Sequence, residues 1–270
     1  MLYRLKVRLL KFPRVNVLWR RWLGRRGVAI GHYGDLPRLV REHAPGKSFA
    51  DIGCMWGVNG EFAFVAEESG ATRVVAVDVF GPTPEFESKH AEKHSRVEFV
   101  LGDIARADTI TRIGKVDVVF CAGVLYHHPS PFDLLVALRR ICRETLILRT
   151  STIPEIGGLP NAAVYFPMMG REGRELWNLK RLGVLHQAAI SDEFKAENGY
   201  GNWFWGLTPS CLESLLRTAG FRVESRAAEA FAQTMVCRAV AAPLDHRLPD
   251  EAEARAMAKE ISDAGIARPA

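Results

Sequence analysis

The chain has 270 residues, of which 48% are hydrophobic and 25% charged, a balance that supports one sizeable apolar core and excludes a disordered or collagen-like chain. No run approaches the roughly 18 uninterrupted apolar residues of a membrane span, and the first residues lack the pattern of a secretory signal, so a cytoplasmic protein is expected. The formal charge of +5 is unevenly spread: residues 1 to 26 hold nine basic groups and no acid, leaving 27 of the 36 basic residues against all 31 acids, a net of −4 for the rest.

In chain order, Leu2, Leu5, Leu9 and Phe12 fall on one helical face ringed by Arg4, Lys6, Arg8 and Lys11, until Pro13 interrupts. Trp19, Trp22 and Leu23 continue the apolar side to Gly24. Residues 1–46 are thus expected to form a basic amphipathic helical arm that caps the body. From Lys47 onward short apolar runs alternate with helical segments, which predicts an α/β fold with a parallel sheet covered on both faces. Strands are placed near Phe49 to Ile52, Arg73 to Val77, Val97 to Leu101, Val116 to Cys121 and Thr145 to Leu148. Residues 154–206, rich in Gly, Pro and aromatics, break the rhythm and read as an inserted lid. A helix from Pro209 to Ala219 and strands at Phe221 to Ser225 and Thr234 to Val240 complete a core spanning 47–243, followed by a helical tail at 244–270. Cys54, Cys121, Cys142, Cys211 and Cys237 form no CxxC pair, so neither a disulfide framework nor a metal site is expected, and the thiols should be reduced and mostly buried.

The chemistry-bearing segment is Asp51-Ile52-Gly53-Cys54-Met55-Trp56-Gly57-Val58-Asn59-Gly60, where the first strand turns into its helix. Glycines there let a ligand approach the backbone, and the helix start supplies unpaired N–H donors. A nucleotide-like ligand should lie across this turn at the carboxyl ends of the strands. The spacing of Gly53, Gly57 and Gly60 differs from the GxGxxG of dinucleotide sites. Further acids follow: Asp78 ends Val74-Val75-Ala76-Val77-Asp78, Asp103 lies in Leu101-Gly102-Asp103-Ile104, and the fourth strand runs from Asp117 through Cys121 to Tyr126-His127-His128-Pro129.

These segments, in this order, resemble the motifs of class I S-adenosylmethionine-dependent methyltransferases, whose first motif reads approximately D-hydrophobic-G-C-G-x-G-x-x-G; Met55 stands where the middle glycine is usual. The resemblance implies a Rossmann-like, doubly wound seven-stranded sheet with an antiparallel last strand, S-adenosyl-L-methionine as cofactor and S-adenosyl-L-homocysteine as product. It implies that Asp78 holds the ribose hydroxyls and Asp103 the adenine amino group, with Asp51, Gly53, Met55, Gly57, Gly60, Ile104 and Cys121 completing the cofactor site. For the chemistry the candidates are His127, as base or acceptor-orienting group, Tyr126, and His128, whose alternative role is helix entry. Tyr165, Phe166, Trp177, His186, Asn202, Trp203 and Trp205 are the candidate substrate contacts of the lid, Asn202 foremost among the polar ones.

The leading function is methyl transfer to an O or N nucleophile of a small, ring-containing acceptor, such as a secondary metabolite. Gly123 to His127 and Asn202-Trp203-Phe204-Trp205 are also similar to tRNA wobble-uridine carboxymethyltransferases, which use a carboxylated cofactor held by basic residues. Here Phe231-Ala232-Gln233-Thr234 carries no cation, and the Trp-Arg-Lys stretch ahead of the first strand is missing, so the ordinary cofactor is favoured. An RNA-modifying enzyme, with the basic arm on phosphates, is the alternative. A membrane-surface or scaffold protein with a vestigial cofactor site, anchored through residues 1–26, is a third reading.

Overall fold

A computed structural model of the chain describes residues 36–176, 193–228 and 232–241, and in the tail residues 252, 255, 256 and 258–260. The expected arm helix, most of the tail, Trp177 and His186 lie outside the described residues.

Seven strands form one sheet: β1 (Ser48–Ile52), β2 (Arg73–Asp78), β3 (Glu98–Leu101), β4 (Val116–Ala122), β5 (Cys142–Ser151), β8 (Phe221–Ala228) and β9 (Ala232–Ala239), in the order β3-β2-β1-β4-β5-β9-β8. The first five pair in parallel, and β9 runs antiparallel to both β5 and β8. The short strands β6 (Ala163–Tyr165), inside the lid segment, and β7 (Trp205–Leu207), at its end, form a separate antiparallel pair.

Strand residues alternate between two buried layers because successive side chains point to opposite faces. Phe49, Val74, Ala76, Val118, Phe120 and Ile147 pack with Leu36 and Val40 of α1 (Leu36–His43) and Phe62 of α2 (Glu61–Glu68). Ala50, Val75, Val119, Leu146 and Leu148 pack on the other side with Leu134 and Leu138 of α5 (Pro131–Ile141) and Leu212 of α7 (Pro209–Thr218). The remaining helices are α3 (Pro84–Glu92), α4 (Ala107–Ile113) and α6 (Arg171–Leu176). Residues 36–43, counted with the arm on sequence, therefore form a helix of the core.

Helix starts are fixed locally. Thr83 and Thr208 accept backbone N–H bonds from Phe86 and Cys211, and each precedes a proline at the first helical position, where a missing N–H costs nothing. All five cysteines are free and buried. Among the described residues no helix is long and apolar enough to cross a membrane.

Leu146 is wholly buried at the centre of β5. Leu146→Ala should lower stability by about 3 kcal/mol through lost burial and the cavity left behind, read as a shift in the midpoint of urea unfolding with the slope unchanged.

Candidate functional site

The parallel strands end at one sheet edge, and the turns beyond them enclose a cavity of about 410 Å³, within the range of small-ligand sites. Its floor is the β1–α2 turn. Gly53 has φ +81°, and a Cβ there would lie 2.2 Å from Val124, so only glycine lets the turn pack on the β4 loop. Gly57 has φ +74° with nothing within 4 Å of where a Cβ would stand, which leaves open space at the cavity.

Three acids line this cavity. Asp78, 5% exposed, accepts the Met55 N–H on Oδ2 (2.8 Å) and the Phe80 N–H on Oδ1 (2.9 Å). Burial raises its carboxyl above the usual range, and these N–H groups oppose the rise. The Val79 N–H opposes the rise as well, and the carboxylate, facing the cavity, keeps acceptor capacity for a hydroxyl donor. Asp51, 1% exposed, has an Oδ2 with no hydrogen-bond partner. Burial pushes its carboxyl up to about 8, the Ala63 N–H opposes this, and the charge of Asp78 adds to it. Asp103 accepts the Ala105 N–H (2.9 Å) and, on Oδ2, the hydroxyl of Tyr200 (2.5 Å).

The opposite wall is aromatic. Tyr126 and His127 lie on a single 3-10 turn after β4, with ring centroids 4.3 Å apart. Trp203 packs 4.1 Å from Tyr126 and edge-on to His127, while Trp56 stacks on His127 at 6.4 Å and 16° and meets Phe80 edge-on. The Nδ1 of His127 lies 2.8 Å from the Asn202 carbonyl. A carbonyl only accepts, so Nδ1 carries the proton and Nε2 keeps the lone pair. Burial lowers the imidazole pKa, against that hydrogen bond, so the ring is neutral at pH 7.

Of the residues singled out on sequence, Asp51, Gly53, Gly57, Asp78, Asp103, Ile104, Tyr126, His127, His128 and Trp203 line this cavity. Met55, Gly60 and Cys121 do not. The Met55 side chain, 1% exposed, turns down into the α1–α2 layer and offers only its N–H to Asp78. Gly60 is filled by contact, since a Cβ would meet the Phe86 ring at 2.4 Å, and Cys121 faces the layer of α5. The Asn202 side chain is spent inside its own loop: Oδ1 accepts the Lys195 N–H, and Nδ2 donates to the carbonyls of Lys195 and Gly199. Tyr165 is half exposed and pairs with Trp205, whose indole N–H bonds the Pro129 carbonyl. Phe166 is buried beneath Gly206. Trp56, Phe80 and Tyr200 are cavity residues that the sequence reading did not select. Trp56 sits inside the quoted motif and Phe80 two residues past Asp78, so adjacency was an available signal for both; Tyr200 had none.

A sheet of this order with its last strand antiparallel, a glycine turn after β1 and acids at the ends of β2 and β3 has the class I methyltransferase fold. Residues 49–145, from β1 to the start of β5, match the family model of a methyltransferase domain. A tRNA U34 carboxymethyltransferase of Trichodesmium erythraeum (strain IMS101) is 25% identical over 182 residues, 65% of this chain; the matched region spans 44% of that relative. Among solved structures, the N-terminal domain of EvdMO1 with S-adenosylhomocysteine bound is similar with a TM-score of 0.52 at 19% identity, over 77% of this chain and 80% of that one. The 1,6-didemethyltoxoflavin-N1-methyltransferase of Burkholderia thailandensis gives 0.50 at 19% identity, over 76% of each.

Asp51 has a linkage consequence. Its folded pKa of about 8 lies above the ordinary value of 3.8, so the stability it contributes is full below the ordinary pKa and is lost as pH rises through the folded one. Relative to Asp51→Asn, the unligated protein should become progressively less stable from about pH 4 to pH 8, measured as the difference between their denaturation midpoints. A constant difference across that range would refute the assignment.

Proposed function

We propose that this cavity binds S-adenosyl-L-methionine and that the protein is a transferase passing the methyl group to an O or N nucleophile of a small, ring-containing molecule by in-line displacement. The observation that carries the reading is the orphaned Oδ2 of Asp51, a buried acceptor at the glycine turn that calls for a cationic donor. The ammonium of the methionine part answers it. Asp78, at the end of β2 in the cavity lining, takes the ribose diol, Asp103 and Ile104 take the adenine end, and the space at Gly57 admits the chain between them. When bound, the cofactor supplies an activated methyl group on a sulfonium and leaves as S-adenosyl-L-homocysteine.

The protein's share of the work is alignment and exclusion of water. Tyr126, Trp203 and Trp56 offer flat faces to a ring-containing acceptor, as in the tailoring of a secondary metabolite. For a hydroxyl acceptor, neutral His127 takes the proton on Nε2. An amine acceptor that arrives unprotonated needs only the alignment.

None of the described residues lining the cavity is Lys or Arg. A carboxylated cofactor would therefore enter among acids with no described cation to hold it, which argues against wobble-uridine carboxymethyl transfer, and the body outside residues 1–26, with its net charge of −4, favours a small acceptor over RNA. Three acids retained in one cavity also argue against a vestigial site on a membrane or scaffold protein, although residues 1–26 remain the segment for any peripheral lipid contact. A cytoplasmic setting accords with five free thiols.

Calorimetric titration tests the reading. S-adenosylmethionine and S-adenosylhomocysteine should both bind, and Asp78→Ala should weaken each by about 100-fold or more, the loss of two charge-assisted hydrogen bonds. No binding by the folded, unmodified chain would overturn the cofactor assignment.

A further inference from the structure

One side of the cavity is supplied by a loop remote in sequence. Residues 195–202 are drawn together by the Asn202 side chain, which bonds Lys195 on both its N–H and its carbonyl and Gly199 on its carbonyl. The loop is fastened to the sheet by the His127 bond to the Asn202 carbonyl and by the Phe204 N–H to the Tyr126 carbonyl, 2.9 Å. Its tip reaches across to β3, where the Tyr200 hydroxyl donates to Asp103 Oδ2. The Tyr200 ring lies nearly parallel to His128, 14° at 5.7 Å, and both line the cavity.

We propose that Tyr200 is a recognition residue for the purine amino group: it shares the Asp103 carboxylate with that group, so that loop and cofactor close the same end of the cavity together. This rests on the reading of the cavity as an S-adenosylmethionine site. A carboxylate offers about four lone-pair positions, of which Ala105 N–H and Tyr200 O–H use one on each oxygen. His128 Nε2 stands 3.9 Å from Oδ1, beyond hydrogen-bond distance, so acceptor capacity is left for a further donor. The two existing bonds come from separate parts of the chain, the backbone after β3 and the loop, one on each oxygen, and together they hold the orientation of the carboxylate. The phenol keeps its proton for this role: burial first, then the bond to Asp103, push it up to about 12. Without the hydroxyl, Asp103 loses its anchor on the loop side and presents its acceptor less well to an amino group, while a purine lacking that group has nothing to lose.

The test is a cycle of two ligands and two proteins. S-adenosylhomocysteine, and its analogue carrying hydrogen in place of the purine amino group, are titrated calorimetrically into the unmodified full chain and into Tyr200→Phe, with thermal melting to verify folding of both. The unmodified chain should prefer the amino ligand by about tenfold. Tyr200→Phe should bind S-adenosylhomocysteine about tenfold more weakly and the analogue within about threefold of its original affinity, so that the preference collapses. Equal weakening of both ligands would reduce Tyr200 to a structural role and overturn the proposal, as would unchanged binding. Tighter binding of S-adenosylhomocysteine by the variant would also overturn it, because the hydroxyl would then be a competitor of the amine. Absence of S-adenosylhomocysteine binding by the unmodified chain is a different result, which removes the cofactor reading itself.

Discussion

The carboxylate of Asp78 joins two turns that come from neighbouring parallel strands. It receives one N–H from the glycine turn after β1 and one from the turn after β2. The Met55 donor is buried, where an unpaired backbone N–H would cost as much as a lost hydrogen bond, and the Phe80 donor is part-buried. The shared acceptor therefore fixes the spacing of the two turns and with it the floor of the cavity. It also explains how methionine is accommodated at position 55. With its N–H committed to Asp78, the side chain is directed into the layer beneath, among Leu36, Val40 and Phe62, and Trp56 is left on the upper side, 68% exposed, against His127 and Phe80.

A second constraint is the loop closed by Asn202. Its amide satisfies the loop's own backbone instead of meeting a ligand, and in return the loop carries three contacts at fixed separation. Tyr200 reaches Asp103, Gly201 packs beside the Trp56 ring, and the Asn202 carbonyl sets the tautomer of His127. The end of the cavity assigned to the purine and the end assigned to the acceptor are thereby joined by one hydrogen-bonded segment. A ligand that orders Tyr200 also restrains the groups beside His127, which is the preorganisation an in-line displacement requires.

The sheet was legible because its parallel strands are short, nearly continuous apolar runs between helical segments, and Asp51 and Asp78 stand at the cavity ends of β1 and β2. The cluster of Tyr126, His127 and His128 was legible for the same reason, standing directly beyond β4. The lid was legible as a break in rhythm but not as structure: β6 and β7 have three residues each, too few to show a period, and pair across 40 residues of chain. Tyr200 meets Asp103 across 97 positions, and no local pattern encodes such a contact. Asn202 shows the converse failure, since a polar residue beside aromatics reads as a ligand contact, whereas the backbone of its own loop competes for the same amide and wins by proximity.

The distribution of charge in the cavity has a consequence for turnover. Asp51 and Asp78 are buried within reach of each other's field, and burial raises both carboxyl groups, so the site without a ligand resists holding two negative charges. A cation relieves that resistance in two ways, by pairing with Asp51 and by lowering the cost of ionising it. Under the proposed function the incoming cofactor carries two positive centres, ammonium and sulfonium, and the product carries only the first. Transfer of the methyl group moves the positive charge from the sulfonium to the acceptor, and for a hydroxyl acceptor on to His127 with the proton, so the departing cofactor product itself keeps one positive centre in place of two beside acids and aromatic faces such as Trp56. The electrostatics that draw the cofactor in therefore act on its product through the ammonium alone, and the cavity returns to its starting charge only when the proton taken by His127 leaves for solvent.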